Sequence, residues 1–160
     1  MTAMDGGHLH EAARLGDLRT LQAALAAPTS AEWRAQLASA PDSTGKTPLH
    51  RAAEAGHEPC LRALLEAGAA VDATDEDSAT ALLFAAAHSH AACVEILVAA
   101  GASLAATAVP DASTTYTALQ IAAISNHVTC VRACVAGGWG RCHCHHLPGG
   151  DSTTPCSRVW

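Results

Sequence analysis

From Thr47 to Asp72 the chain reads TPLHRAAEAGHEPCLRALLEAGAAVD, and its apolar positions fall in two short stripes. Leu49, Ala52 and Ala53 stand at i, i+3 and i+4, the spacing that puts side chains on one face of a helix, and Gly56 follows them. Leu61, Leu64 and Leu65 repeat the spacing up to Gly68. The starts are marked as well. Thr47 has the hydroxyl that caps the first free N–H groups of a helix, and Pro48 suits the first helical position, whose N–H needs no partner. Glu58 and Pro59 play the same part for the second stripe. The pattern predicts two short antiparallel helices joined by a tight turn at Gly56 and His57. Neither can bury its stripe alone, so the hairpin is stable only where copies of it stack side by side.

The copies are present. Thr80 opens TALLFAAAHSHAACVEILVAAGASLAA and Thr117 opens TALQIAAISNHVTCVRACVAGG, at spacings of 33 and 37 residues from the preceding threonine. Leu49, Leu82 and Leu119 are equivalent. A fainter copy lies upstream in HLHEAARLGDLRTLQAALAA, where Leu9 and His10 match Leu49 and His50. The inter-helix turn carries Gly16, Gly56, Ser89 and Asn126 in turn. Serine tolerates the left-handed backbone of such a turn less well than glycine or asparagine, which predicts strain at Ser89. Gly68, Gly101 and Gly138 stay in register at the ends of the second helices.

TPLHRA is a full match to the T-P-L-H-x-A signature of the ankyrin repeat, and 33 residues is that family's period. The chain resembles an ankyrin-repeat protein over roughly residues 5 to 138. The resemblance implies an all-α solenoid of stacked helix-turn-helix units with loop or short β-hairpin tips. It also implies a non-catalytic scaffold that binds other proteins on a concave face made of the tips and first helices. The copies are uneven, since Ala81 and Ala118 replace Pro48 while Leu83 and Gln120 replace His50. Residues 3–41 read as a divergent N-terminal capping repeat with a helical insert. Two repeats follow at 42–77 and 78–114, then a partial one at 115–138 and an irregular Cys/His tail at 139–160. In the insert, Thr29 or Ser30 can cap a short helix carrying Trp33 and Leu37, read as a longer outer helix of the capping unit. Candidate partner contacts are Lys46, Asp75, Glu76, Asp77 and Asp111 on the tips, with Arg14, Arg51, Glu54, His88 and Ser125 on the first helices. The run Asp75, Glu76 and Asp77 reads as an acidic finger or as a solvated turn. Ile121, Val131 and Val135 lie on the last unit's open side, which predicts self-association or a further covering segment.

Composition narrows the picture. Aromatic residues make up 3% of the chain, so the helices must pack through small side chains. A net charge of −6 and a single lysine, Lys46, argue against a nucleic-acid partner, which needs clustered cations. The N-terminus lacks the basic start and apolar run of a signal peptide. The most apolar stretch, Ala91 to Val109, is interrupted by Glu95, Gly101 and Ser103, so no membrane span is expected. A cytoplasmic or nuclear location fits best. The Gly45–Lys46 pair is no phosphate loop, because the earlier glycine of that motif is missing. Neither a small-molecule substrate nor a cofactor is indicated.

Seven cysteines and ten histidines invite a search for chemistry. Cys60, Cys93 and Cys130 recur at the repeat spacing, and Cys134 aligns with Leu64 and Leu97, so these thiols read as core. His57, His90 and His127 share the inter-helix turn, and His10 and His50 share a place in the first helix. The resemblance implies that such histidines hydrogen-bond within and between repeats. The tail offers Cys142, His143, Cys144, His145 and His146, ligand types that zinc accepts. A metal-binding or thiol redox-sensing tail is the alternative to the scaffold. Its Cys-x-Cys spacing is not that of a zinc knuckle, however, and no second spaced pair follows. Thr154 and Pro155 read either as the opening of a further, truncated repeat or as a chance dipeptide.

Overall fold

A computed structural model describes residues 6–26, 30–111 and 114–136. Helices α1 (Gly6–Leu15) and α2 (Leu18–Ala26) form the first pair, and α3 (Ala31–Ala38) follows them. Next come the pairs α4 (Pro48–Ala55) with α5 (Glu58–Glu66) and α6 (Ala81–Ala87) with α7 (Ala91–Ala99). A hairpin of β1 (Thr107–Asp111) and β2 (Thr114–Thr117) leads into α8 (Ala118–Ile124) and α9 (Val128–Cys134). The first helices α1, α4, α6 and α8 pack in that order as one layer, and α2, α5, α7 and α9 pack in the same order as a second. The expected stack of helix pairs is therefore what the chain forms. Apart from the helices, β1 and β2 pair antiparallel, with Thr107 opposite Thr117 and a bulge between Ala108 and Asp111.

Repetition of small residues makes the close layers. Ala12, Ala52, Ala85 and Ala122 are all buried, so the first helices approach through methyl groups. Leucines fill the space between layers: Leu49, Leu61, Leu64, Leu82 and Leu97 are each almost fully buried. Cys60, Cys93, Cys130 and Cys134 lie in this core as free thiols. Burial pushes the Cys93 thiol up to about 11, aided by the Glu58 charge, and Cys134 likewise up to about 11. Thiols held protonated in this way are poor nucleophiles and poor metal ligands at neutral pH.

The insert forms a separate helix, α3, and does not extend α2. Ser30 is its N-cap, its hydroxyl accepting the Trp33 N–H at 3.2 Å. Only one side of the helix turns inward. Ala38 is buried and Leu37 packs on the core, whereas Trp33 is 57% exposed.

The helix starts differ in one instructive respect. The Thr47 N–H donates to His50 Nδ1 at 3.0 Å, which places the ring proton on Nε2, and Nε2 donates to the Ala79 carbonyl at 3.0 Å. At α8, Gln120 takes the histidine's local role, accepting the Thr117 N–H at 2.9 Å. At α6 the equivalent residue is Leu83, and the Thr80 hydroxyl is left buried with no partner among the described residues. A buried hydroxyl without a hydrogen bond costs about 1 kcal/mol or more. Thr80→Val is therefore expected to raise the denaturant midpoint, corresponding to about 1 kcal/mol of added stability, while Thr117→Val lowers it.

Candidate protein-binding surface

Equivalent positions on the first helices run along one face of the stack. Glu11, Arg51, Phe84 and Ile121 form one row, and Arg14, Glu54, Ala87 and Ile124 form the next, one turn on. Along the stack the face passes from charged to aromatic to aliphatic. Glu11 and Arg14 pair at 2.6 Å on the exposed surface of α1, an arrangement that lowers the Glu11 carboxyl through the Arg14 hydrogen bond. Exposed pairs of this kind contribute little to stability.

The centre of the face is more tightly built. Arg51 donates through Nη2 and Nε to Asp42 Oδ2 at 2.6 and 3.1 Å, and its Nη1 lies 3.4 Å from Glu54. Lys46 Nζ sits 3.4 Å from both Glu54 oxygens and 4.3 Å from the centre of the Phe84 ring. The His50 ring meets Phe84 edge to face, with centroids 5.7 Å apart. Phe84 is thus held between a cation and an imidazole. For Asp42, burial works to raise the carboxyl, but the Thr44 hydroxyl and N–H and the Arg51 guanidinium outweigh it and hold the group well below the usual carboxylate range. Lys46, Arg51 and Glu54, all candidates from the sequence, therefore meet in one partly buried network with Asp42. They are pre-positioned side chains rather than free ones.

The tips divide into structural and free carboxylates. Asp42 Oδ1 accepts the N–H groups of Thr44 and Lys46 at 2.8 and 3.1 Å. Asp75, one period later, accepts those of Asp77 and Ala79 at 3.0 and 2.8 Å. Asp75 is accordingly the clasp of its turn. Glu76 and Asp77 are exposed, and their carboxylates have no hydrogen-bond or ion-pair partner among the described residues. Asp111 ends β1. His88 is exposed, donates from Nδ1 to the Phe84 carbonyl at 3.0 Å and stacks on His90. Ser125 is exposed at the end of α8, beside Ile124, which is 70% exposed. In the last described pair Ile121 and Val131 are half-buried and Val135 is exposed.

The turn histidines tie the pairs together. His57 donates to the Arg14 carbonyl at 3.1 Å, His90 to that of Glu54 at 3.2 Å and His127 to that of Ala86 at 3.0 Å. Each carbonyl belongs to the first helix of the preceding pair. No group of three or more His, Cys, Asp or Glu side chains is placed to hold a metal ion among the described residues. Cys142, His143, Cys144, His145 and His146, together with Gly138 and the Thr154–Pro155 pair, lie outside those residues.

Stacked helix pairs linked side by side through recurring half-buried turn histidines define a helical repeat protein. A family model for ankyrin repeats matches residues 9–108 as three copies, and the chain belongs to the ankyrin-repeat family. Ankyrin repeats generally mediate protein–protein interactions. A search of curated proteins found no match to the chain. No helix among the described residues is long and apolar enough to cross a membrane.

Proposed function

We propose that the protein is a non-catalytic scaffold that binds a partner protein on the face formed by α1, α4, α6, α8 and the tips. The observation that carries this reading is the side-chain arrangement around Phe84. A rigid, ion-paired platform of Asp42, Lys46, Arg51 and Glu54 borders an aromatic ring and then the exposed Ile124. Interfaces draw their energy from such apolar anchors rimmed by ordered polar groups. Glu76 and Asp77 at the tip supply negative charge at the border, which steers a basic partner surface and selects among partners more than it adds affinity. Arg14, His88 and Ser125 extend the same face at its edges, and Asp111, the last residue of β1, is the candidate at the next tip.

The test is a cross-linked affinity purification from source cells, followed by rebinding of the purified partner. The intact chain is compared with Ile124→Asp and with a Glu76→Lys, Asp77→Lys double variant, leaving Asp75 in place because it holds the turn. Ile124→Asp is expected to weaken binding at least tenfold, on the order expected of an interface anchor. The tip variant is expected to slow association mainly. Unchanged binding by both variants would remove this face from consideration.

A further inference from the structure

Each junction between successive helix pairs has three places from which a side chain can reach across. The first is the histidine of the first helix, which reaches forward to the carbonyl just before the next threonine: His10 to Lys46 at 3.1 Å and His50 to Ala79 at 3.0 Å. The second follows the last helix of a unit. Ser39 Oγ accepts the Ala70 N–H at 2.9 Å, and Asp72 Oδ1, one period later, accepts the Ser103 N–H at 2.8 Å. The third is the turn histidine, His57 and then His90, which reaches back. At the last junction these three places are occupied by Leu83, Ala105 and His127. Leucine and alanine have no polar side-chain atom, so of these three places only the histidine still links among the described residues, beside a contact of the Ser89 hydroxyl with the Cys130 thiol.

That histidine is also seated differently. Gly16 and Gly56 leave room for the ring of the next turn histidine, since a Cβ there would lie 2.7 Å from His57 Nδ1 or 2.5 Å from His90 Nδ1. Ser89 carries the Cβ, at φ 63°, and His127 makes its bond through Nδ1, whereas His57 and His90 use Nε2. The outer seam of the same junction, between α7 and α9, is a groove of about 640 Å³ in which Glu95 and Arg132 stand among alanines, Val98 and Thr129. The family pattern also stops at residue 108, where this last hairpin begins.

We propose that this junction is a weak joint, at which β1–β2, α8 and α9 undock as one cooperative unit while the first three helix pairs stay folded. In stacked repeats stability is nearly a sum of unit and junction contributions, so the junction with the fewest links opens first. Among the described pairs the first also stands at an end of the stack but keeps all three links, so position in that stack is an insufficient cause. Phe84 and Ile121 lie on opposite sides of the joint, so undocking divides the apolar end of the binding face. That consequence rests on the function proposed above, whereas the joint does not.

Native-state hydrogen exchange of the full chain, read by mass spectrometry, tests it without a partner. Amides of α8 and α9 are expected to exchange together, on the order of tenfold or more faster than those of α1–α2 and α4–α5, given about fivefold in the opening equilibrium per missing hydrogen bond. His127→Ala is expected to speed α8 and α9 by about a further fivefold and leave α4 and α5 unchanged. Leu83→His, which restores at this junction the histidine that reaches forward from the first helix at the other two, should slow them. Equal protection of α8–α9 and α4–α5, or an acceleration by His127→Ala spread over all helices, would overturn the joint.

Discussion

His50→Ala is expected to destabilise the protein by about 3 kcal/mol, measured as the change in unfolding free energy by chemical denaturation. The imidazole is fully buried, and three consequences follow from removing it. The Thr47 N–H loses its acceptor and the Ala79 carbonyl loses a donor from the next unit. Phe84 loses the ring it rests on, at the centre of the proposed binding face. A cavity in a close-packed layer then adds to the unpaired polar groups, and the two costs together exceed either alone.

The same residue sets a pH dependence. Burial lowers the His50 pKa below its ordinary 6.5, against the pull of the Ala79 carbonyl and the Asp75 charge and with the help of the Lys46 charge. Below that value the unfolded chain takes up a proton that the folded ring refuses, so stability falls as pH falls. The contribution is full above about pH 7 and is lost as the pH drops through 6.5 toward the folded pKa. The stability gap between the wild type and His50→Ala should therefore narrow between pH 7.5 and about pH 5.5. A gap that stays constant over that interval would mean that folding leaves the pKa of the ring unshifted.

Gly56→Ala is expected to cost about 2–3 kcal/mol, for two separable reasons. Its backbone lies at φ 76°, where a side chain is strained, and the added Cβ would meet His90 Nδ1 at 2.5 Å. Relief requires the His90 ring to leave the Glu54 carbonyl, which breaks a link between pairs. Gly101→Ala isolates the first reason, because it shares a positive φ of 90° but has nothing within 4 Å of the new Cβ. It should cost about 1 kcal/mol. Equal losses for the two variants would show that the turn glycine owes nothing to the histidine beside it.

Much of this architecture is legible in the sequence because the repeat spacing is itself a measurement. Residues recurring at 33 and 37 positions must occupy equivalent places, which separates Cys60, Cys93 and Cys130 from any reactive cysteine. Leu83 and Gln120 already mark the departures at position 50. The tips are less legible, because a carboxylate's role depends on which N–H groups its turn presents. Asp75 reads as the head of an acidic finger, yet it is the clasp, and Asp42 does the same work with Arg51 folded back on it. Phe84 is hidden for a related reason. It stands where Arg51 stands in the preceding unit, on the proposed binding face, but an aromatic residue within LLFAAA reads as core. Ser39 and Asp72 carried a signal in their 33-residue separation that only their N–H partners make meaningful. The insert's split from α2 follows from Ser30, whose cap starts a new helix.

The central claim is that a partner protein binds the layer of first helices and the tips. Oxidative footprinting of the chain, alone and with its purified partner, examines that most directly, because each side chain reports its own accessibility. Binding at this face predicts protection of Phe84, His88 and Ile124 with little change at Arg62, Glu66 and Glu95 on the second helices. Protection confined to those outer residues would contradict it.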